Sequence, residues 1–183
     1  GFGETKSEGY CVFNDIAVAS RLLFKEKLAS RIAIIDLDVH QGNGTASILQ
    51  NDSSIFTLSI HGENNFPFKK EQSDLDLGLA DGCTDEIYLS SLKKCLDELS
   101  SRFQADCLIY LAGADPHEGD RLGRLKISKD GMRLRDETVF QYALDRKLPV
   151  AMSMAGGYGK EIESTVDIHF QTIRTALRFQ QQY

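Results

Sequence analysis

One pattern constrains the fold more than any other: four short, unbroken apolar runs separated by segments of helical periodicity. The runs are RIAIIDLD (Arg31 to Asp38), IFTLSI (Ile55 to Ile60), CLIYLA (Cys107 to Ala112) and PVAMSM (Pro149 to Met154). Strands with one wet face alternate apolar and polar residues, whereas continuous apolar runs mark strands covered on both faces. Asn14 or Asp15 caps a first helix running to about Leu28, with Ile16, Ala19 and Leu23 on one face. The turn Gly42-Asn43-Gly44 leads into a short helix ending near Gln50. Thr84 caps a longer helix with Asp85 and Glu86 in its first turn, and Tyr88, Leu92, Cys95, Leu96, Leu99 and Phe103 form its apolar face. Ser128 caps a helix to about Lys147, and a last helix runs roughly from Glu161 to Phe179. His61 to Gly82 reads as a long loop, with turns at Asn64, Asn65 and Pro67. The resulting order, αβαβαβαβα, supplies the crossovers that a parallel sheet needs. The expected fold is a three-layer α/β domain with a parallel sheet, a single domain over residues 1–183.

Charge and composition narrow the function classes. A net charge of -6 and the lack of a Lys/Arg cluster argue against nucleic acid as a direct partner. No apolar run approaches the roughly 18 residues of a membrane span, so no membrane association is expected. The polar opening GFGETKSEGYC is not a signal peptide, which makes the cytoplasm the default location, or the nucleus in a eukaryote. Cys11, Cys83, Cys95 and Cys107 are scattered without a C-x-x-C pair. They read as reduced thiols of an intracellular protein rather than a disulfide frame or a cysteine zinc site.

Open parallel sheets bind ligands beyond the carboxyl ends of their strands. Asp36, Asp38, His40 and Gln41 follow the first run; Ser59 and His61 close the second; Asp115 follows the third in AGADP; Tyr158 follows the fourth in AGGYG. An extended backbone through Asp38 and His40 points both side chains to one face. With Asp115 they make a mixed oxygen–nitrogen set of three, the pattern of a catalytic zinc site with one open position. Fe(II), Mn(II) or Co(II) suits the same donors. Alternatively, Asp36 and Asp38 cap loop N–H groups, as carboxylates after strands often do. The glycines around Tyr158 free the backbone to aim the phenol into a site, where it could donate to an oxyanion; a surface tyrosine in a tight turn is the other reading. Gly-Asn-Gly before a helix could bind phosphate, but no Walker lysine or G-x-G-x-x-G accompanies it. His61 supports the site or belongs to the loop, and His117 and His169 are structural or solvated. Glu118 and Asp120 close the loop after Asp115 by capping backbone groups.

IIDLDVHQGNGTA, FTLSIH, NNFP, LAGADP with EGDRLG, and AGGYG, in that order, resemble the histone deacetylase family. The likeness runs from EGYCVFNDIAVA to the last helix. His-Gln after the first strand and the EGDRLG segment are most similar to class IV and bacterial members. The resemblance implies an arginase-like α/β fold and zinc-dependent hydrolysis of an acyl amide. The substrate would be an acylated lysine of a protein or a small acylated amine such as an acetylpolyamine. It makes Asp38, His40 and Asp115 the ligands of Zn2+, with Fe2+ as a substitute, and Tyr158 the residue that polarises the acyl carbonyl. Asp36, the Ser59 hydroxyl and backbone carbonyls around Asp38, His40 and Ile60 would hold K+ or Na+. Tyr10, Phe66 and Leu122 would line an acyl-lysine tunnel, the Gly9 carbonyl would meet the substrate amide, and Gly157 would join the substrate-binding set. Asn43 matches the residue that orients one histidine of a tandem pair. That His-His pair, the family's general base and acid, lies just upstream of EGYC, and no His-His occurs in this sequence. The chain opens at Gly1 without Met, so the expectation is an N-terminally truncated fragment. It would hold metal yet turn over poorly, since a general base commonly contributes about 10²–10⁴-fold. Two other readings stay open. One is an arginase-like binuclear manganese hydrolase, disfavoured because Gln41 and Asn43 stand where further ligands would sit. The other is an inactive metal-binding module that acts through protein contacts.

Overall fold

Three of the four apolar runs become strands covered on both faces; the fourth becomes an edge strand, Val150–Met154, that is exposed to half-buried throughout, so the two-sided burial expected of it is not met. β1 (Ile32–Asp36), β2 (Ile55–Gly62), β3 (Leu75–Leu79), β4 (Cys107–Ala112) and β5 (Val150–Met154) form one sheet, ordered β3-β2-β1-β4-β5. Every pairing in it is parallel. The computed structural model describes residues 10–182. The helices are α1 (Asp15–Lys25), α2 (Asn43–Leu49), α3 (Asp85–Arg102), α4 (Lys129–Asp145) and α5 (Ile162–Gln180). β1 shows the two-sided packing residue by residue. Ile32 and Ile34 pack with Ile16 and Ala17 of α1 and Leu49 of α2, whereas Ala33 and Ile35 pack with α3, α4 and α5 through residues such as Leu92, Val139 and Ile168. The three-layer α/β expectation is met.

The helix starts follow the capping chemistry at two of three sites. Asn14 Oδ1 accepts from Ala17 N–H at 2.8 Å, and Ser128 Oγ accepts from Gly131 N–H at 3.0 Å. The Thr84 side chain makes no capping bond. Instead the Asp85 carboxylate accepts from Ser128 N–H at 2.8 Å and Ser128 Oγ–H at 2.5 Å, which ties the start of α3 to the start of α4.

The largest correction concerns His61 to Gly82, expected as loop. β2 runs on to Gly62, and Leu75–Leu79 adds an edge strand, β3, parallel to it. β3 is half exposed, and Gln41 anchors its approach. The Gln41 Nε2–H groups donate to Glu71 O at 2.7 Å and Asp76 Oδ1 at 2.8 Å, while its Oε1 accepts from Glu71 N–H at 2.9 Å. α1 stops at Lys25 rather than near Leu28, and Lys27 takes the left-handed conformation at φ 57°. β1 ends at Asp36, two residues short of the expected strand.

α5 carries two apolar stripes. Ile168 and Phe179 are buried, while Ile162, Val166, Phe170, Ile173 and Leu177 lie exposed. Among the described residues no helix is long and apolar enough to cross a membrane.

The register aligns the strand ends that matter. Asp36 of β1 pairs with Ser59 of β2 and Leu111 of β4, and Ala112 pairs with Met154 of β5. The loops after β1, β4 and β5 therefore leave the sheet side by side.

Candidate metal centre

Asp38 and His40 meet, but not by the extended route their spacing suggests. The chain bends after β1, and the bend is held by the Asp38 carboxylate itself, whose Oδ1 accepts from His40 N–H at 2.8 Å. The same oxygen lies 3.0 Å from His40 Nδ1, while Asp38 Oδ2 accepts from Gly156 N–H at 2.7 Å. Asp115, fully buried, arrives from the loop after β4, and its Oδ1 accepts from Val39 N–H at 2.9 Å. Its Oδ2 is 3.2 Å from His40 Nδ1, outside hydrogen-bonding geometry, and has no hydrogen-bond partner. One ligand atom from each of Asp38, His40 and Asp115 lies within 4.8 Å of the others.

A buried carboxylate oxygen without a partner is costly, and it faces an imidazole nitrogen and a second carboxylate. Two carboxylates and one imidazole are donors suited to a divalent cation, so these residues fit the ion that their sequence pattern suggests. Glycines keep the space open. A Cβ on Gly156 would fall 2.0 Å from Asp115 Oδ2 and 2.7 Å from Asp38 Oδ2, and one on Gly113 would fall 2.7 Å from the Asp38 Cα. Gly156→Ala is therefore expected to displace both carboxylates and abolish tight zinc uptake, read by competition with a chromogenic chelator. Uptake equal to that of the unmodified chain would reject the pocket.

The electrostatics agree with a site built for positive charge. Burial and then the neighbouring Asp38 charge push Asp115 above the usual carboxylate range. Burial works the same way on Asp38, but hydrogen bonds from His40 outweigh it and hold this carboxyl low. Burial would lower the His40 imidazole, yet the pull of the Asp115 and Asp38 carboxylates beside it prevails and raises it. Asp36, raised by burial and then by Asp38, accepts from Asp38 N–H at 3.1 Å. Asp36 and Ser59 border a cavity of about 10 Å³, with Thr45 and Thr57 also on its wall, which is about the room one small ion or water requires. Gly42 closes in on this carboxylate: a Cβ there would fall 2.3 Å from Asp36 Oδ2. Ile60 is buried in β2 beside Ser59. His61, also buried, shares a 3.0 Å hydrogen bond with Ser59 Oγ, and burial lowers its pKa to about 4.

Tyr158 stands two residues beyond Gly156, half-buried, with its ring centroid 5.9 Å from that of Tyr10. Burial, then the charges of Asp115 and Asp38, raise its phenol, which keeps it protonated and able to donate. Tyr10 is exposed and has a positive φ of 65°. Phe66 and Leu122 are partly exposed on adjacent loops, linked by Asn65, whose Nδ2–H donates to Leu122 O at 2.8 Å. Gly157 packs where a Cβ would meet Thr165 and Ala114. Asn43 begins α2, and Gly9 lies outside the described residues. His117 Nδ1 accepts from Gly119 N–H at 3.1 Å, a structural role, and His169 is half-buried.

Three supporting residues escape sequence reasoning. Gln41 turns away from the centre to secure β3. Gly156 clears the space for the carboxylates. Arg135, wholly buried on α4, donates from Nη1 to Gly113 O at 2.6 Å, behind the loop that carries Asp115. A signal for Arg135 exists: it falls at i+3 from Met132 and i−4 from Val139, on the buried face of α4.

Comparison with known proteins bears on the family and the fold. Residues 3–173 match the histone deacetylase domain. An uncharacterised protein of Picosynechococcus is 46% identical over 168 residues, covering 92% of this chain and 56% of that protein. Histone deacetylase 2 of Arabidopsis thaliana is 39% identical over 155 residues, covering 83% of this chain and 40% of the relative. The chain thus spans about half the length of the curated relatives it matches. The crystal structure of a histone deacetylase homologue from Aquifex aeolicus has a TM-score of 0.79 at 24% identity, over 92% of this chain and 46% of that one. Acetylpolyamine aminohydrolase from Burkholderia pseudomallei gives 0.78 at 24%, over 92% and 51%. Both structures match in fold, so the expected arginase- and deacetylase-like architecture is met. With a domain match over nearly its whole length, and with the sheet and the convergent donor set in place, the chain belongs to the histone deacetylase family.

Proposed function

We infer that this chain carries the metal- and carbonyl-binding part of an amidohydrolase that removes acyl groups from lysine side chains, of the class IV or bacterial deacetylase type. The observation that carries the reading is the buried, unpartnered Asp115 Oδ2 facing His40 Nδ1 and Asp38, with Tyr158 on the next loop. Zn2+, or Fe2+ in its place, would be held by Asp38, His40 and Asp115; bound there, it supplies Lewis acidity to a carbonyl and lowers the pKa of water towards about 7. Tyr158 donates its hydroxyl proton in a hydrogen bond to the oxyanion that develops on the acyl carbonyl. Tyr10, Phe66 and Leu122 offer apolar surface to the aliphatic stem of the lysine. Gly9 and Gly157 complete the substrate contacts. Asp36 and Ser59, with the backbone near Asp38, His40 and Ile60, take a K+ or Na+ that offsets the crowded carboxylate charge.

The four histidines are dispersed, so no tandem pair within this sequence moves the proton. That absence favours one competing reading, a metal-binding module without turnover. Zinc titration followed by an acetyl-lysine peptide assay separates the two. Tyr158→Phe is expected to lower the rate by about 10²–10³ while zinc affinity holds, since the phenol is not a ligand. Zinc uptake with no Tyr158-dependent hydrolysis would establish the inactive module instead. Acetylpolyamine assayed beside the peptide distinguishes a small-amine substrate.

A further inference from the structure

We propose that Asp120 and Arg121 are positioning residues that clamp the Tyr158 backbone at its N–H and its C=O and lock it to Leu122, so that the phenol donor and one wall of the acyl channel are set as a single piece. The inference rests on the proposed role of Tyr158 and adds what aims it.

The need for a clamp follows from the sequence around the tyrosine. Gly156, Gly157 and Gly159 leave that segment with little intrinsic conformational preference, and its residues are only half-buried. The order comes from the neighbouring loop. Asp120, 8% exposed, accepts through Oδ2 from Tyr158 N–H at 2.6 Å. Through Oδ1 it accepts from Leu122 N–H and Gly123 N–H, both at 2.8 Å. A carboxylate is acceptor-only, and charge-assisted bonds of this kind are the stronger class, so this one group fixes three peptide units at once. Arg121 holds the opposite end of the Tyr158 residue: its backbone N–H and its Nε–H donate to Tyr158 O at 3.2 and 3.0 Å. Lys160 N–H donates to Gly119 O at 3.0 Å, and Asp120 and Gly159 form an antiparallel bridge. Asp38 anchors the same loop two residues earlier through Gly156 N–H, so Tyr158 is held between the carboxylate of a candidate metal ligand and that of Asp120. Misplacing a reacting group by about 1 Å can cost about 10² in rate, which makes this clamp a determinant of how well the phenol meets the oxyanion.

Asp120→Asn tests the clamp, because an amide has one acceptor oxygen where three N–H groups need two. Two measurements apply to the whole chain. The first is amide hydrogen exchange by NMR, which needs no turnover. Tyr158 or the Leu122–Gly123 pair is expected to lose protection, with Gly156, held by Asp38, unchanged as the internal control. The second is the affinity of the zinc-loaded chain for an alkyl hydroxamate, whose carbonyl oxygen can accept from the phenol. It is expected to fall about tenfold in Asp120→Asn, the loss typical of one charge-assisted bond, and to fall no further when Asp120→Asn is added to Tyr158→Phe. Arg121→Met, on an exposed side chain, removes one bond to Tyr158 O and is expected to give a smaller loss, again only while Tyr158 is present. It carries the test if Asp120→Asn fails to fold. Unchanged protection of all three amides in Asp120→Asn overturns the clamp, as does an equal loss of hydroxamate affinity with and without the Tyr158 hydroxyl. If Tyr158→Phe itself leaves hydroxamate affinity intact, the proposed role of Tyr158 fails instead, and the exchange data alone decide whether the clamp exists.

Discussion

Arg135→Met is expected to lower the free energy of unfolding by about 3–5 kcal/mol, measured by urea denaturation, because it strands a buried carboxylate. Arg135 is wholly buried, and its partner Asp136 is 1% exposed. Nε–H donates to Asp136 Oδ1 at 2.9 Å, and Nη2 lies 2.7 Å from the same oxygen at an angle too poor for a hydrogen bond. Tyr110 OH donates to Asp136 Oδ1 at 2.5 Å and Thr172 Oγ1–H to Oδ2 at 2.6 Å, so the pair ties β4 and α5 to α4. Methionine fills a similar volume but cancels no charge, and it leaves the Gly113 carbonyl without its 2.6 Å donor. The double variant Arg135→Met with Asp136→Leu is expected to recover part of the loss, since removing both charges ends the uncompensated one. Recovery stays partial because Tyr110 and Thr172 then lose their acceptor. A single-variant loss under about 1 kcal/mol would mean that water reaches Asp136 and that the pair behaves like a surface bridge.

The same pair shows how far local sequence can be read. α3 was legible because Tyr88, Leu92, Cys95, Leu96 and Leu99 repeat at helical spacing and all are buried. β1, β2 and β4 were legible because two covered faces demand unbroken apolar runs. β3 was not. Leu75-Asp76-Leu77-Gly78-Leu79 is a short alternation with a glycine inside, half exposed at the sheet edge, and Gln41 secures it from thirty to thirty-five residues away. In the candidate site, Asp38, His40, Asp115 and Tyr158 could be named because each follows a strand and each has a reactive side chain. What brings them together could not be. Gly156 reads as a turn glycine until a Cβ is placed on it, and the bend at Asp38–His40 depends on a hydrogen bond internal to that bend. Asp120 was read as a loop cap, which it is, but its second oxygen reaches Tyr158, thirty-eight residues on. Pattern within an element is local, whereas support between loops is set by topology.

Asp115→Asn is expected to weaken zinc binding by more than about 100-fold, beyond the 10–100-fold that supporting partners of a ligand usually control. Tyr158→Phe is expected to leave zinc binding unchanged. Asparagine can keep the structural half of the residue: its carbonyl oxygen can still accept from Val39 N–H, now at 2.9 Å from Oδ1. The other half is lost, because an amide nitrogen would replace the unpartnered Oδ2 that sits 3.2 Å from His40 Nδ1, and it offers a metal no lone pair. Folding should therefore survive while coordination fails, which thermal denaturation can show in one experiment. Zinc at a hundred times its Kd stabilises a folded chain by about 2.7 kcal/mol, so the unmodified protein gains a higher Tm at a zinc concentration that leaves the Asp115→Asn melting curve unmoved. Chelator competition then gives the affinities directly. Equal affinities for the two proteins would remove Asp115 from the ligand set. With Asp115 removed, only the adjacent Asp38 and His40 would remain, too few donors for the three-ligand site on which the hydrolase reading depends.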